Sequence, residues 1–172
     1  VSGNTIATVN PDGRPRIMLA GHIDEIGLQV THIDEDGFLY IAGIGGWDPQ
    51  VLVGQRVKIL GSPGGVVGVV GKKAIHLLKV AERKSASQID QLWVDVGVGS
   101  RAEATELGLR VGDAMVIDAA MVRLAGDRIA SRAIDNRIGA YVVLEALRLL
   151  SDLSPTASAV AVATVQEEIG GG

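Results

Sequence analysis

Three places in the chain carry side chains suited to chemistry, and all of them offer oxygen or imidazole donors. Glu167 and Glu168 are adjacent carboxylates directly after Ala159–Val165, an uncharged run rich in Val. Such a run reads as a buried strand of a parallel sheet covered on both faces, and ligands of open α/β sheets gather at the carboxyl ends of strands. Two like charges brought together out of water repel and lose hydration, at a cost of several kcal/mol per ion. A cation, or a proton on one of them, relieves this. The alternative for the pair is a solvated acidic loop.

His22 and Asp24 form the second place. They follow the apolar run Ile17–Ala20 and lie two apart, so in extended chain they share a face. An imidazole there can bind a metal while the carboxylate orients it, or both can be ligands. The tripeptide His-Ile-Asp recurs at His32–Asp34, but that copy runs into the turn Glu35-Asp36-Gly37 and the strand Phe38–Tyr40. His32 and Asp34 therefore read as hairpin residues. The third place is Asp135, in Ala133-Ile134-Asp135-Asn136-Arg137, where either Asp135 or Asn136 falls at a helix cap position. Taken alone, Asp135 is a capping residue.

Composition narrows the chemistry. The chain has no Cys, so disulfides and thiolate sites are excluded and any metal must be held by His and carboxylate. The net charge is -4 with no basic run, which argues against nucleic acid and anionic membrane surfaces as partners. No apolar run approaches the roughly 20 residues of a membrane span, and Val1–Ala7 lacks the features of a signal peptide. A reducing, cytoplasmic setting is the expectation. The chain starts with Val and stops at Gly172, just after the Glu pair, which suggests a piece of a longer protein.

The elements that must position these groups follow from pattern. Asn10-Pro11-Asp12-Gly13 is a turn between Thr5–Val9 and Ile17–Ala20 and predicts a hairpin. Beyond about Gly43, short β-rich runs recur at Val51–Val53, Arg56–Leu60, Val66–Val70, Ile75–Leu78, Leu92–Val98 and Ala114–Ile117. They predict a small β-barrel or sandwich whose core, with aromatics at only 3%, must be aliphatic. His76 lies among aliphatics and reads as a core residue. Ser100 with Glu103 is a capping box, and Gly108 ends the short helix it opens. Ile138–Leu150 predicts a helix with a wide apolar face, on which Ile138, Tyr141, Val142, Ala146, Leu149 and Leu150 stand and which Val143, Leu144 and Leu147 widen, as suits a helix packed on a sheet. The whole is an α/β protein: residues 1–45 and 127–172 form one domain, interrupted by a β domain at 46–126.

Taken together the segments resemble the M42 family of metallo-aminopeptidases. The matching segments are Leu19–Gly27, Lys73–Leu78, Asp95–Gly97 with Glu106–Gly108 and Val111–Asp113, Ala133–Gly139, and Val165–Gly170. They occur in the family's order and span nearly the whole chain. The resemblance implies part of a three-layer α/β metallopeptidase domain interrupted by a β-barrel insert that serves oligomerisation, as a dimer or a dodecamer. It implies peptide substrates and two divalent metal ions, zinc or cobalt. It further implies that His22 binds one metal, Asp135 bridges both, Glu168 binds the other, Glu167 is the general base and Asp24 orients His22. The family pattern also needs a carboxylate soon after the Glu pair and a His near its C-terminus. Without them each metal keeps two protein ligands where a catalytic zinc normally has three, so the 172-residue chain alone is expected to be inactive. The rival readings are an M42-like protein labelled an endo-glucanase, whose usual two-carboxylate chemistry needs no metal, and a non-catalytic β-rich assembly or binding module.

Overall fold

The computed structural model describes residues 3–80 and 82–171. Val1, Ser2, Ala81 and Gly172 lie outside the described residues, and with them the chain ends on which the expectation of a longer parent rests. In chain order the regular elements are β1 (Thr5–Val9), β2 (Arg16–His22), β3 (Gly27–Ile33), β4 (Leu39–Ile44), β5 (Arg56–Ile59), β6 (Val66–Lys72) and β7 (Leu92–Asp95). Then come α1 (Arg101–Glu106), β8 (Ala114–Ile117), β9 (Val122–Leu124), β10 (Arg128–Ala130), α2 (Ile134–Ser151) and β11 (Ser158–Thr164). No helix among the described residues is long and apolar enough to cross a membrane.

Two compact units result: Val1–Glu25 with Met121–Gly172, and Ile26–Ala120. The first junction falls earlier than the pattern of short strands suggested, because β3 and β4 belong to the second unit, and the first unit resumes at Met121, so that β9 belongs to it. Its six strands close into a barrel in the order β3-β4-β7-β6-β5-β8. Alternation decides which side chains fill it. Val57 and Ile59 point in while Arg56 stays out, and Leu92 and Val94 point in while Asp95 stays out. The interior is aliphatic, as the composition demands: Leu28, Leu39, Leu52, Ile59, Leu92 and Met115 are almost wholly removed from water. Each contributes about 1.5–3 kcal/mol of transfer free energy relative to exposure. Ser100 caps α1 by accepting from the N–H of Glu103 at 3.2 Å. Gly108 follows the helix at φ +82°, the left-handed conformation that glycine adopts without steric cost. His32 and Asp34 sit at the β3–β4 hairpin, where Asp34 accepts from the N–H of Phe38 at 2.8 Å.

Two β expectations in this unit are corrected. Pro49–Val51 and Ile75–Leu77 are single 3₁₀ turns rather than strands. His76 is exposed, as are Ile75 and Leu77, so it is not a core residue. An isolated apolar triplet carries no period, and nothing local distinguishes an exposed turn from an edge strand.

The first unit holds the sheet β1-β11-β2, with β11 parallel to β2 and antiparallel to β1. The Asn10–Gly13 turn forms, its Gly13 N–H donating to Asn10 O at 3.0 Å. The hairpin it predicted does not: β11 lies between β1 and β2. An uncharged strand gains most from the central position, where Ala159, Ala161, Val162 and Ala163 are all buried. Helix α2 covers the sheet face that carries Ala7, Val9, Ala159 and Ala161, through Val143, Leu147 and Leu150. The seam uses only one side of the expected wide face: Ile138, Tyr141, Val142 and Leu149 are more than half exposed. The helix is apolar over so wide an arc that composition alone cannot choose its inward stripe.

Candidate metal centre

The parallel pairing of β11 with β2 sets the site. Its register ends on Thr164 opposite His22, and the N–H of Ile23 continues the ladder to Thr164 O at 2.9 Å. The two strands therefore run out together. His22 leaves the end of one, and the chain leaves the other through Gln166, at φ +68°, into the 3₁₀ turn Glu167–Ile169. The start of α2 reaches the same point because Gly21 lets it. A Cβ on Gly21 would stand 2.4 Å from the backbone N of Ala140 and 2.6 Å from the carbonyl carbon of Gly139. No side chain fits at such a distance, so strand and helix meet backbone to backbone.

At the head of α2 the capping question is resolved. Asn136 Oδ1 accepts from the N–H of Gly139 at 3.0 Å, the bond an N-cap makes to its third helical residue. Asp135 is thereby relieved of capping. Its backbone is extended (φ -80°, ψ 111°), its peptide bond to Asn136 is cis, and its side chain is 89% exposed.

The side chains converge on His22, whose ring is buried. Nδ1 lies 3.2 Å from the carbonyl oxygen of Asp24 and 3.4 Å from Asp24 Oδ1. Nε2 lies 3.2 Å from Asp135 Oδ1 and 3.6 Å from Glu167 Oε2. One donor atom each of His22, Glu167 and Glu168 falls within 4.8 Å of the others. Asp24 Oδ2 accepts from the backbone N–H of Glu168 at 3.1 Å, while Oδ1 is buried without a hydrogen bond. The sequence-predicted His22, Asp24, Asp135, Glu167 and Glu168 are thus all brought together.

Electrostatics follow from that crowding. Burial, the largest single influence on His22, opposes its charge. The Asp24 carbonyl and the carboxylates of Glu167, Asp24 and Asp135 together outweigh it, and its pKa is raised. Burial first, then the neighbouring Glu167, Asp135 and Asp24, raise the pKa of Glu168, against the pull of His22.

This donor set suits a divalent cation. With Nδ1 facing a backbone carbonyl, it must carry a proton, which leaves Nε2 with a lone pair in the neutral ring. That lone pair then faces two carboxylates that are themselves acceptors only. The arrangement is repulsive unless a proton or a metal ion sits among them. An imidazole fixed at Nδ1 with carboxylates around Nε2 is also the usual disposition of a zinc-type ligand and its orienting partner.

Residues 3–172 match the family model described as M42 glutamyl aminopeptidase. The chain belongs to the M42 peptidase family. Among its M42 relatives, the lysyl aminopeptidase of Pyrococcus furiosus is 40% identical over 169 residues, covering 98% of this chain and 48% of that enzyme. The TET aminopeptidase of Thaumarchaeota archaeon SCGC AB-539-E09 superposes with a TM-score of 0.90 at 37% identity, covering 98% of this chain and 48% of that one. The TET1 peptidase of Pyrococcus horikoshii, which can assemble into a tetrahedron or a large octahedral shell, gives a TM-score of 0.85 at 33% identity, over 98% of this chain and 50% of that one. The M42 chain thus spans about half the length of the relatives it matches.

Sequence reasoning missed the ion pairs that flank the site. Glu25, the carboxylate beside Asp24, receives Arg132 Nη1 and, at 3.0 Å, Arg137 Nη2. Arg137 Nε also donates to Ile23 O at 3.0 Å. Arginines next to a suspected ligand carry no periodic signal, so only the fold pairs them with Glu25.

Proposed function

We propose that the protein to which this chain belongs is a metal-dependent aminopeptidase that hydrolyses the first peptide bond of peptides bearing a free N-terminus. The observation that supports this best is the His22 imidazole, committed at Nδ1 to the Asp24 carbonyl while Nε2 faces Asp135 and Glu167.

Two divalent ions, zinc or cobalt, would be held by His22 and Glu168 with Asp135 between them. They would supply Lewis acidity toward a carbonyl oxygen and a lower pKa for bound water. Asp24 keeps the His22 ring in the tautomer that leaves Nε2 free, and its other oxygen ties the backbone of Glu168 to the same point. Glu167 is the general base. It is half exposed, so water and substrate can reach it, and it stands beside the ligands rather than behind them. It takes a proton from the attacking water as oxygen bonds to the carbonyl carbon. It then returns that proton to the amine nitrogen as the C–N bond breaks.

The same reading makes the unit of residues 1–25 and 121–172 part of a three-layer α/β catalytic domain. The barrel of residues 26–120 is then its insert and the oligomerisation element of a dimer or a dodecamer, in a cytoplasmic setting. Neither a carboxylate-only glycosidase nor a non-catalytic assembly module accounts for an imidazole aimed between carboxylates. The test is turnover of unblocked peptides by the whole protein before and after dialysis against a chelator. Loss on chelation and recovery on adding Zn²⁺ or Co²⁺ are expected, and Glu167→Gln should lower kcat about 10²–10⁴-fold. Turnover indifferent to chelation would overturn the reading.

A further inference from the structure

Glu25 is a largely buried carboxylate of the acidic group around His22, at 14% side-chain exposure beside Asp24 at 24%, yet it takes no part in the donor set. Its Oε1 is shared by two guanidiniums, Arg132 Nη1 and Arg137 Nη2, and Arg137 turns its Nε to Ile23 O. These bonds join residues separated by 107, 112 and 114 positions. One end of each lies in the segment Ile23–Glu25, which follows His22 and contains Asp24. The other end lies on either side of Asp135. Arg137 grips its target through two different nitrogens, on a backbone carbonyl and on a carboxylate, which fixes the orientation of the guanidinium as well as its distance.

We propose that the Glu25–Arg132–Arg137 clamp is the positioning element of the metal centre: it holds the segment bearing His22 and Asp24 against the segment bearing Asp135. The inference rests on the metal-site reading above. Two segments from distant parts of the chain must stay within about 0.5 Å of a productive geometry for their donors to share an ion. No strand ladder joins the two segments: beyond the Ile23 N–H, which bonds Thr164 O on β11, the first has left β2, and the regular turns of α2 begin only after Asn136. The clamp spans that gap. It also sets two cations beside an acidic cluster without placing either among the donors.

The test is titration of the metal-free whole protein with Co²⁺, read by the visible absorption whose intensity reports coordination geometry. Wild type, His22→Ala, Glu25→Ala, Glu25→Gln and Arg137→Lys are compared, with thermal unfolding of each metal-free form alongside. The wild type should bind Co²⁺ and His22→Ala should not. Glu25→Ala and Arg137→Lys should bind about 10–100-fold more weakly with an altered band, the range seen when groups supporting metal ligands are removed. Glu25→Gln, which still accepts from both arginines, should recover part of the loss. If the wild type binds no Co²⁺, the metal-site reading fails and the clamp with it. If wild type and Glu25→Ala bind alike with the same spectrum, the clamp inference fails while the site stands. A variant that unfolds outright is set aside for the milder Glu25→Gln and Arg137→Lys, which must still differ from wild type in affinity or band shape.

Discussion

The backbone N–H of Glu168 donates to Asp24 Oδ2 at 3.1 Å, across 144 residues of chain. Asp24 thereby touches both halves of the site, since its carbonyl and its other carboxylate oxygen lie against His22 Nδ1. Asp24→Ala should weaken Zn²⁺ or Co²⁺ binding about 10–100-fold and leave the metal-free fold largely intact. Asp24→Asn should be milder, because the amide oxygen can still accept from Glu168. Isothermal titration with each metal checks both, and equal affinities for wild type and Asp24→Ala would remove Asp24 from the orienting role.

Gly21 makes a separate prediction. A Cβ there meets the backbone of Gly139 and Ala140, and backbone cannot swing aside as a flexible side chain can. Gly21→Ala should push the start of α2 off β2 and cost about 1–3 kcal/mol, the range for overpacking a filled interior. Because His22 and Asp135 ride on the two displaced segments, metal affinity should fall in the same variant. Urea unfolding and metal titration of one preparation measure both effects.

Much of this site was legible in the sequence, and the physical reason is strand termination. Charged donors that directly follow uncharged strands mark the carboxyl edge of a sheet, which is how His22 and Glu168 stood out. His32 and Asp34 were separated from them by the turn that follows. What could not be read was pairing. The Asn10–Gly13 turn looks the same whether its flanking strands bond to each other or to a third strand from the far end of the chain. The inward stripe of α2 was equally hidden, because Ile138, Tyr141 and Val142 are as apolar as the buried Leu147. Asp135 and Asn136 were interchangeable as caps on paper, and only the bond from Gly139 separates their roles.

That separation is testable through stability. Asn136→Ala removes a helix cap and should cost about 1 kcal/mol, with Asn136→Asp or Asn136→Ser restoring most of it. Asp135→Ala removes no such bond and should leave denaturant stability nearly unchanged while reducing metal binding. If Asp135→Ala destabilises as much as Asn136→Ala, the division of labour at the head of α2 is wrong.

The pH dependence of the metal-free chain should run opposite to that of the metal-loaded one. His22 has a folded-state pKa above its ordinary 6.5, so it contributes stability that is present below 6.5 and is lost as pH rises through the folded value. Glu168 is raised as well, above its ordinary 4.5, chiefly by burial. A carboxyl group shifted that way is also favoured by its proton, so it likewise costs stability as pH climbs above 4.5. His22 therefore makes the metal-free chain less stable at pH 8 than at pH 6. A metal ion reverses the sign, because it competes with the same protons and binds more tightly as they leave. Thermal unfolding with chelator should show a lower midpoint at pH 8 than at pH 6, whereas with excess Zn²⁺ the pH 8 sample should melt higher. His22→Ala should flatten the upper part of the metal-free profile, and a profile unchanged by that substitution would mean that the imidazole is not the group being titrated.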